Sequence, residues 1–399
     1  MIFNTYWFCL FSAIFFPLYW FSRLSWLRLC LLLSFCLIFH AHFAGAAGII
    51  PIIVLSLTTY FAGLSRKLWI LRLGMFLPII ALIFYKYTHF LALSCLSVIS
   101  PHLGLHVDQI LITALPLTPP LAISFFVFEF VHYLYDVSCG EASIKNPAYF
   151  CAFTFFFPSL VAGPIKRYKP FIASLTDGLR QVSLDDLKCG VVRIALGLFK
   201  KVVIADNLTP GIDFWHARLT ELNRGERWLF VLALGVRILM DFSGYSDIAI
   251  GLARLMGISL PENFYWPYAA NSLQAFWQRW HISLSSWIRD YVYIPLGGNR
   301  HGLTRKVFNG LFAFALCGLW HGPAWNFITW GLLHGVGLAL NSSYRSWGLL
   351  GRFLGQLFDR IPILGWVLTL LFVFIGWIYF FYPIDEASRI VSLLVVAHS

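Results

Sequence analysis

Two histidines stand where acid–base chemistry can be done. In Leu319-Trp320-His321-Gly322-Pro323-Ala324-Trp325-Asn326 an imidazole meets a Gly-Pro pair that stops one helix and starts the next. At membrane depth a broken helix is tolerated only where it faces protein or a water-filled cavity. Imidazole titrates near neutral pH, so His321 lining such a cavity would take a proton from an incoming hydroxyl and return it to a leaving group. The other reading is a packing histidine bonded to a freed carbonyl, and residue types alone leave both open.

The second, His281, falls in a stretch from Ser272 to Tyr291 that reads as one helix. At 3.6 residues per turn, Phe276, Trp280, Leu284, Trp287 and Tyr291 make one stripe, and Gln274, Gln278, His281, Ser285 and Arg289 the opposite one. That polar seam is either the water side of an interfacial helix or the wall of an aqueous vestibule. Asp241 and Asp247 interrupt the apolar window 228–256. A buried unpaired carboxylate is costly, so each needs a partner; Arg237, one turn before Asp241, is the local candidate. A structural ion-pair node fits these residues better than a catalytic acid. The basic cluster Lys166-Arg167 follows Gly163-Pro164 and reads as a span end anchored at an anionic leaflet. Segment 191–207, with Lys200-Lys201 in its middle, reads as a re-entrant or surface helix.

The elements that must hold these residues follow from composition. Of 399 residues, 59% are hydrophobic and 12% charged, against about 45–50% and about 25% in soluble domains. The chain is therefore read as an all-α polytopic integral membrane protein. Its net charge of +11 is spread over small groups between apolar stretches, such as Arg66, Lys67 and Arg72, a positive-inside pattern and not a nucleic-acid footprint. Eight scattered cysteines without C-x-x-C read as small core residues. His321 and His334 would point to opposite faces of a continuous helix, so no metal pair is expected. Signatures of serine hydrolases, zincins and nucleotide-binding loops are absent.

Apolar windows at 5–22, 27–43, 45–64, 69–97, 110–136, 147–163, 228–253, 307–340 and 362–382 suggest roughly nine to eleven crossings. The window 307–340 is too long for one straight span, and Gly322-Pro323 divides it into two half-helices; Gly331-x-x-x-Gly335 packs helices. Less hydrophobic stretches at 164–227, 254–306 and 341–361 should border any chemistry. The N-terminus lacks a basic n-region and reads as a retained span. Without a repeat or a Gly/Pro/Ser linker, residues 1–399 read as a single membrane domain.

Five ordered blocks carry a resemblance. Gly163-Pro164-Ile165-Lys166-Arg167-Tyr168, Asp241-Phe242-Ser243-Gly244-Tyr245-Ser246-Asp247, Trp280-His281-Ile282-Ser283-Leu284-Ser285 with Arg289-Asp290-Tyr291, Pro295-Leu296-Gly297-Gly298-Asn299-Arg300, and Trp320-His321-Gly322 resemble the membrane-bound O-acyltransferase (MBOAT) family. The match is strongest over 120–340, and the Pro-Leu-Gly-Gly-Asn-Arg block places it nearer the alginate O-acetylation branch than the teichoic acid D-alanylation branch. The resemblance implies an MBOAT-like helical core with a tunnel and re-entrant or interfacial helices. It makes His321 the essential histidine and His281 the second, with Trp320, Asn326, Asp241, Arg289, Asp290, Asn299 and Arg300 lining the tunnel or supporting it. It further implies no permanently bound cofactor or metal, a thioester donor such as acetyl-CoA on the cytoplasmic side, and an exported polysaccharide as acceptor. A bacterial inner-membrane location, membrane lipid and a periplasmic SGNH-type transferase as partners, and no nucleic acid, complete the expectation. Two departures stand out: the chain stops at Ser399, before the further helices of alginate-type relatives, and 380–385 lacks an arginine after its aromatics. Rival readings are D-alanyl transfer to a cell-wall polymer, a flippase of an acylated carrier, and a scaffold for a periplasmic transferase.

Overall fold

A chain this poor in charge satisfies its backbone in hydrocarbon most simply as helix. The computed structural model describes residues 2–114 and 119–395, and among them there is helix and loop but no strand. Among the described residues five helices are long and apolar enough to cross a membrane: Ser25–Gly45, Ala47–Ser65, Leu68–Ile99, Arg224–Arg254 and Pro362–Phe381. The first two are separated at Gly45, whose φ of 66° and ψ of 173° only glycine adopts readily. The difference from the expected nine to eleven crossings has a local cause. Window 147–163 yields a nine-residue helix, Pro147–Phe155, and 5–22 a sixteen-residue one, Tyr6–Phe21. Window 110–136 crosses 115–118, which lie outside the described residues, and resumes in Ile123–Ser138. These stretches form helices shorter than the eighteen residues of a candidate span.

The chain forms two compact units, Met1–Leu196 with Ser246–Pro261, and Gly197–Tyr245 with Glu262–Ser399. In the first, Phe15, Phe39, Phe126, Phe130, Phe150 and Phe153 are fully buried. Lys166, expected at the leaflet surface, is 1% exposed. It pairs with Glu129 and lies 5.1 and 5.5 Å from the Phe153 and Phe171 rings. A buried ammonium needs a carboxylate, and Glu129 on Ile123–Ser138 supplies it from 37 residues away, which no local pattern reveals. Asp247 pairs with Arg193 at 2.8 Å in the same unit.

The second unit is organised on a hairpin of two helices, Gly302–His321 and Trp325–Ser343. Their close approach is set by glycine. A Cβ on Gly318 would stand 2.1 Å from the Phe327 carbonyl oxygen, and one on Gly331 would stand 2.2 Å from that of Phe314. Pro362–Phe381 packs against the second arm, with Gly376 seated over the His334 ring. Around Phe199–Ala205 the helix widens into a π turn, from which Lys201 reaches Asp206 at 2.6 Å and Asp241 at 2.9 Å.

Candidate active site

The helix Gly302–His321 ends on the histidine itself, because Gly322 turns to extended backbone and the next helix begins at Trp325. Gly322 is small for a reason: a Cβ there would lie 2.3 Å from the Phe327 ring. The half-buried imidazole of His321 is boxed by aromatic rings, edge-on to Trp330 at 5.2 Å and Phe380 at 5.0 Å, with Trp320 at 4.8 Å. Asn326, on the first turn of the second arm, donates from Nδ2 to the Phe380 carbonyl at 3.1 Å. That bond ties the end of Pro362–Phe381 to the helix break, so the box is closed from three helices.

His281 differs from both readings of a continuous helix. The segment breaks into Leu273–Trp277, Ile282–Ile288 and a π turn Arg289–Tyr293. His281 sits at the break with φ 44° and ψ 53°, in the left-handed region, and is 1% exposed. It is therefore neither water-facing nor on the seam. Phe276 and Trp280 of the apolar stripe are also buried, so that stripe does not face lipid. The His281 ring lies 4.7 Å from that of Phe242 and 6.1 Å from that of Trp320, the residue before His321. Its Nδ1 is 3.0 Å from Oδ1 of Asn263, which is itself fully buried. Burial first, and then the nearby His321, hold the His281 imidazole well below its usual range, so the ring is neutral at physiological pH.

The remaining polar seam does line a wall. Gln274, Gln278, Ser285 and Arg289 border a cavity of about 430 Å³ whose other face is built from Lys306, Gly310, Phe314 and Cys317 of the hairpin's first arm. Cys317 is one turn before His321. Trp277, which lines the same cavity, donates from Nε1 to Nδ1 of His334 at 3.3 Å, and it packs 5.8 Å from Trp330, the ring that boxes His321. A second, polar cavity of about 450 Å³ shares Gln274, Lys306 and Ser342 with the first and adds Asn271, Tyr344 and Arg345. The two cavities adjoin at Gln274, Lys306 and Ser342, and neither imidazole lines them.

Not every expected residue joins this group. Asp241 pairs with Lys201, and Arg237 instead lies over the Phe381 ring at 5.1 Å. Only the next residue, Phe242, reaches His281. Arg289 lines the chamber and is held by Asp290 at 2.7 Å. Asn299 and Arg300 are exposed in a glycine turn at the start of Gly302–His321, about 30 Å of helix from His321 at about 1.5 Å per residue. Buried Asn309 pins that turn by donating to the Leu296 and Gly298 carbonyls at 3.1 and 3.0 Å. Asn263 and Trp330 carry no signal in the sequence, and His334 and Phe380 enter there only through the excluded metal pair and the missing arginine. Asn263 lies in one of the three polar stretches, but its role depends on a contact 18 residues distant, and the aromatic residues are indistinguishable from core by type.

The helical fold with apolar spans is that of a polytopic membrane protein, here with imidazoles at two helix breaks. The chain belongs to the membrane-bound O-acyltransferase family, MBOAT, whose model matches residues 121–384. It is 39% identical over 317 residues to the probable alginate O-acetylase AlgI of Azotobacter vinelandii, covering 79% of this chain and 60% of that protein. With the probable alginate O-acetylase AlgI of Pseudomonas putida it shares 37% over 387 residues, 93% of this chain and 75% of the relative. The peptidoglycan O-acetyltransferase of Helicobacter pylori is 34% identical over 341 residues, 79% of this chain and 62% of that one. The chain thus spans about three fifths of the length of the Azotobacter relative.

Proposed function

We propose that this protein is a multi-pass O-acyltransferase of a bacterial inner membrane. It moves an acetyl group from a thioester donor, such as acetyl-CoA, toward hydroxyls of an exported polysaccharide. The observation that carries this reading is His321 at a helix end, boxed by Trp330 and Phe380 and one turn beyond Cys317, which lines a chamber also bordered by Arg289 and Lys306. The cationic rim suits a donor bearing phosphates, and the apolar chamber suits its uncharged acyl-thioester arm. His321 takes the proton of the acceptor hydroxyl as its oxygen attacks the thioester carbonyl. The tetrahedral species collapses, the C–S bond breaks, and the leaving sulfur takes that proton from the imidazolium. Carbonyls at the end of Gly302–His321 favour the positive charge while the ring carries it. The names of the relatives, alginate O-acetylase and peptidoglycan O-acetyltransferase, support acetyl as the group and a glycan as the acceptor. A periplasmic SGNH-type transferase is the proposed partner for delivery to the polymer.

The test is full-length protein in lipid vesicles with labelled acetyl-CoA. Acyl transfer releases free thiol, whereas a flippase of an acylated carrier releases none. His321→Ala should lower release by about 10²–10⁴-fold while the protein still inserts in the membrane. Wild-type turnover by His321→Ala would remove His321 as the base.

A further inference from the structure

A neutral imidazole has one N–H and one lone pair, and which nitrogen carries the proton is decided by what the ring is bonded to. For His281 that decision is made by Asn263. The amide oxygen of Asn263 accepts from the Ser283 backbone N–H at 3.2 Å and from the Ser283 hydroxyl at 2.8 Å. A backbone N–H can only donate, so the amide atom facing it is the oxygen and not the NH₂ group. That same oxygen is 3.0 Å from His281 Nδ1. Nδ1 is therefore the protonated nitrogen, and Nε2 bears the lone pair.

Asn263 also fixes where the lone pair points. Its main-chain carbonyl accepts the Ile282 N–H at 2.9 Å, so one residue grips three consecutive positions, 281 to 283, through both its backbone and its side chain. The grip holds His281 at φ 44°, a conformation its β-carbon disfavours and a helix would not supply. Buried Nε2 has no hydrogen-bond partner among the described residues, although it belongs to a ring flanked by Phe242 and by Trp320, the neighbour of His321. A buried acceptor without a partner calls for one, and a hydroxyl brought by a ligand would supply it.

We propose that Asn263 is a positioning residue for acyl transfer: it locks His281 as the Nδ1–H tautomer and presents Nε2 as a fixed acceptor for an O–H of the acceptor substrate. This rests on the reading of the protein as an O-acyltransferase with a hydroxyl acceptor. A glycan carries several hydroxyls, so one is held by His281 while another gives its proton to His321. Asn263 touches no substrate and acts only through the ring it orients.

Two measurements on the full-length protein decide it. Histidine ¹⁵N NMR, with His281 assigned by its loss in His281→Gln, should show Nδ1 protonated and Nε2 bare in the resting protein, and a mixture in Asn263→Leu. Kinetics in vesicles with labelled acetyl-CoA and a mannuronate oligosaccharide as probe should show kcat/KM for the oligosaccharide reduced by about 10–100-fold in Asn263→Leu, the usual size of lost orienting bonds. KM for acetyl-CoA should stay within about twofold, and Asn263→Asp, which keeps an oxygen at the same place, should recover most of the loss. A resting ring protonated on Nε2 overturns the proposal whatever the activity. Equal acceptor kinetics for wild type and Asn263→Leu overturn it as well. Failure of the wild type to release thiol would instead strike at the acyltransfer reading, while the NMR result would still settle the tautomer.

Discussion

Gly331→Ala tests whether glycine packing places the proposed base. The added Cβ would lie 2.2 Å from the Phe314 carbonyl oxygen and 3.2 Å from Gly318 Cα, while real Cβ contacts under 3.0 Å essentially do not occur. Both neighbours are backbone, so no side chain can swing aside, and the two arms must part by about 1 Å at their crossing. Overpacking of this kind costs about 1–3 kcal/mol of stability. The functional cost comes from the lever: His321 closes one arm, Trp330 is adjacent to Gly331 on the other, and their rings meet at 5.2 Å. A misplacement of about 1 Å at a reacting group is worth about 10²-fold in rate. Thiol release from acetyl-CoA in vesicles reads the rate, and thermal unfolding in detergent reads the stability. Gly211→Ala is the control, since a Cβ there meets nothing within 4 Å; it should gain about 0.4–1 kcal/mol and keep wild-type turnover. If Gly331→Ala melts and turns over like wild type, the close approach of the arms does not set the position of His321.

Three further outcomes follow from particular contacts. Asp241→Asn should leave turnover within a few-fold of wild type and cost less than about 1 kcal/mol, because the Asp241 side chain is 47% exposed and its partner Lys201 keeps Asp206; a loss of turnover like that of His321→Ala would place Asp241 in the chemistry after all. Lys306→Glu should raise KM for acetyl-CoA by about tenfold or more with kcat little changed, since a rim charge acts on binding and not on the reacting bond; an unchanged KM would move the donor's phosphates elsewhere. His281 resists protonation in the folded protein because it is buried and faces His321, while in the unfolded chain it titrates near 6.5. Below that pH the unfolded state binds the extra proton, so stability should fall as pH drops from about 7.5 to 5.5. His281→Gln should flatten that dependence in melting experiments, and an equally steep variant would assign it to other groups.

The break at Gly322-Pro323 was legible because it is chemically local: proline cannot continue the helix, and the residues concerned are adjacent. The Gly45 kink separating two spans was visible only as a boundary between apolar windows. The segment 272–291 misled because periodicity assumes a continuous helix. Its Gln274, Gln278, Ser285 and Arg289 do share a wall, but His281 leaves them at a left-handed turn imposed by Asn263. The same limit applies to charge pairing: Lys166 in sequence reads as a surface anchor, and its buried partner Glu129 lies 37 residues away.

By itself the sequence determined the helical membrane class and the helix break at which His321 stands, since hydropathy, residue type and a Gly-Pro pair act within a few residues. Tertiary structure alone decided that both imidazoles flank Trp320, that Asn263 sets the proton on His281, and that Asn299 and Arg300 stay a helix length from His321. These depend on where distant segments meet, and that is fixed by backbone approach at Gly318 and Gly331 and by buried polar groups finding partners, neither of which has a period to read.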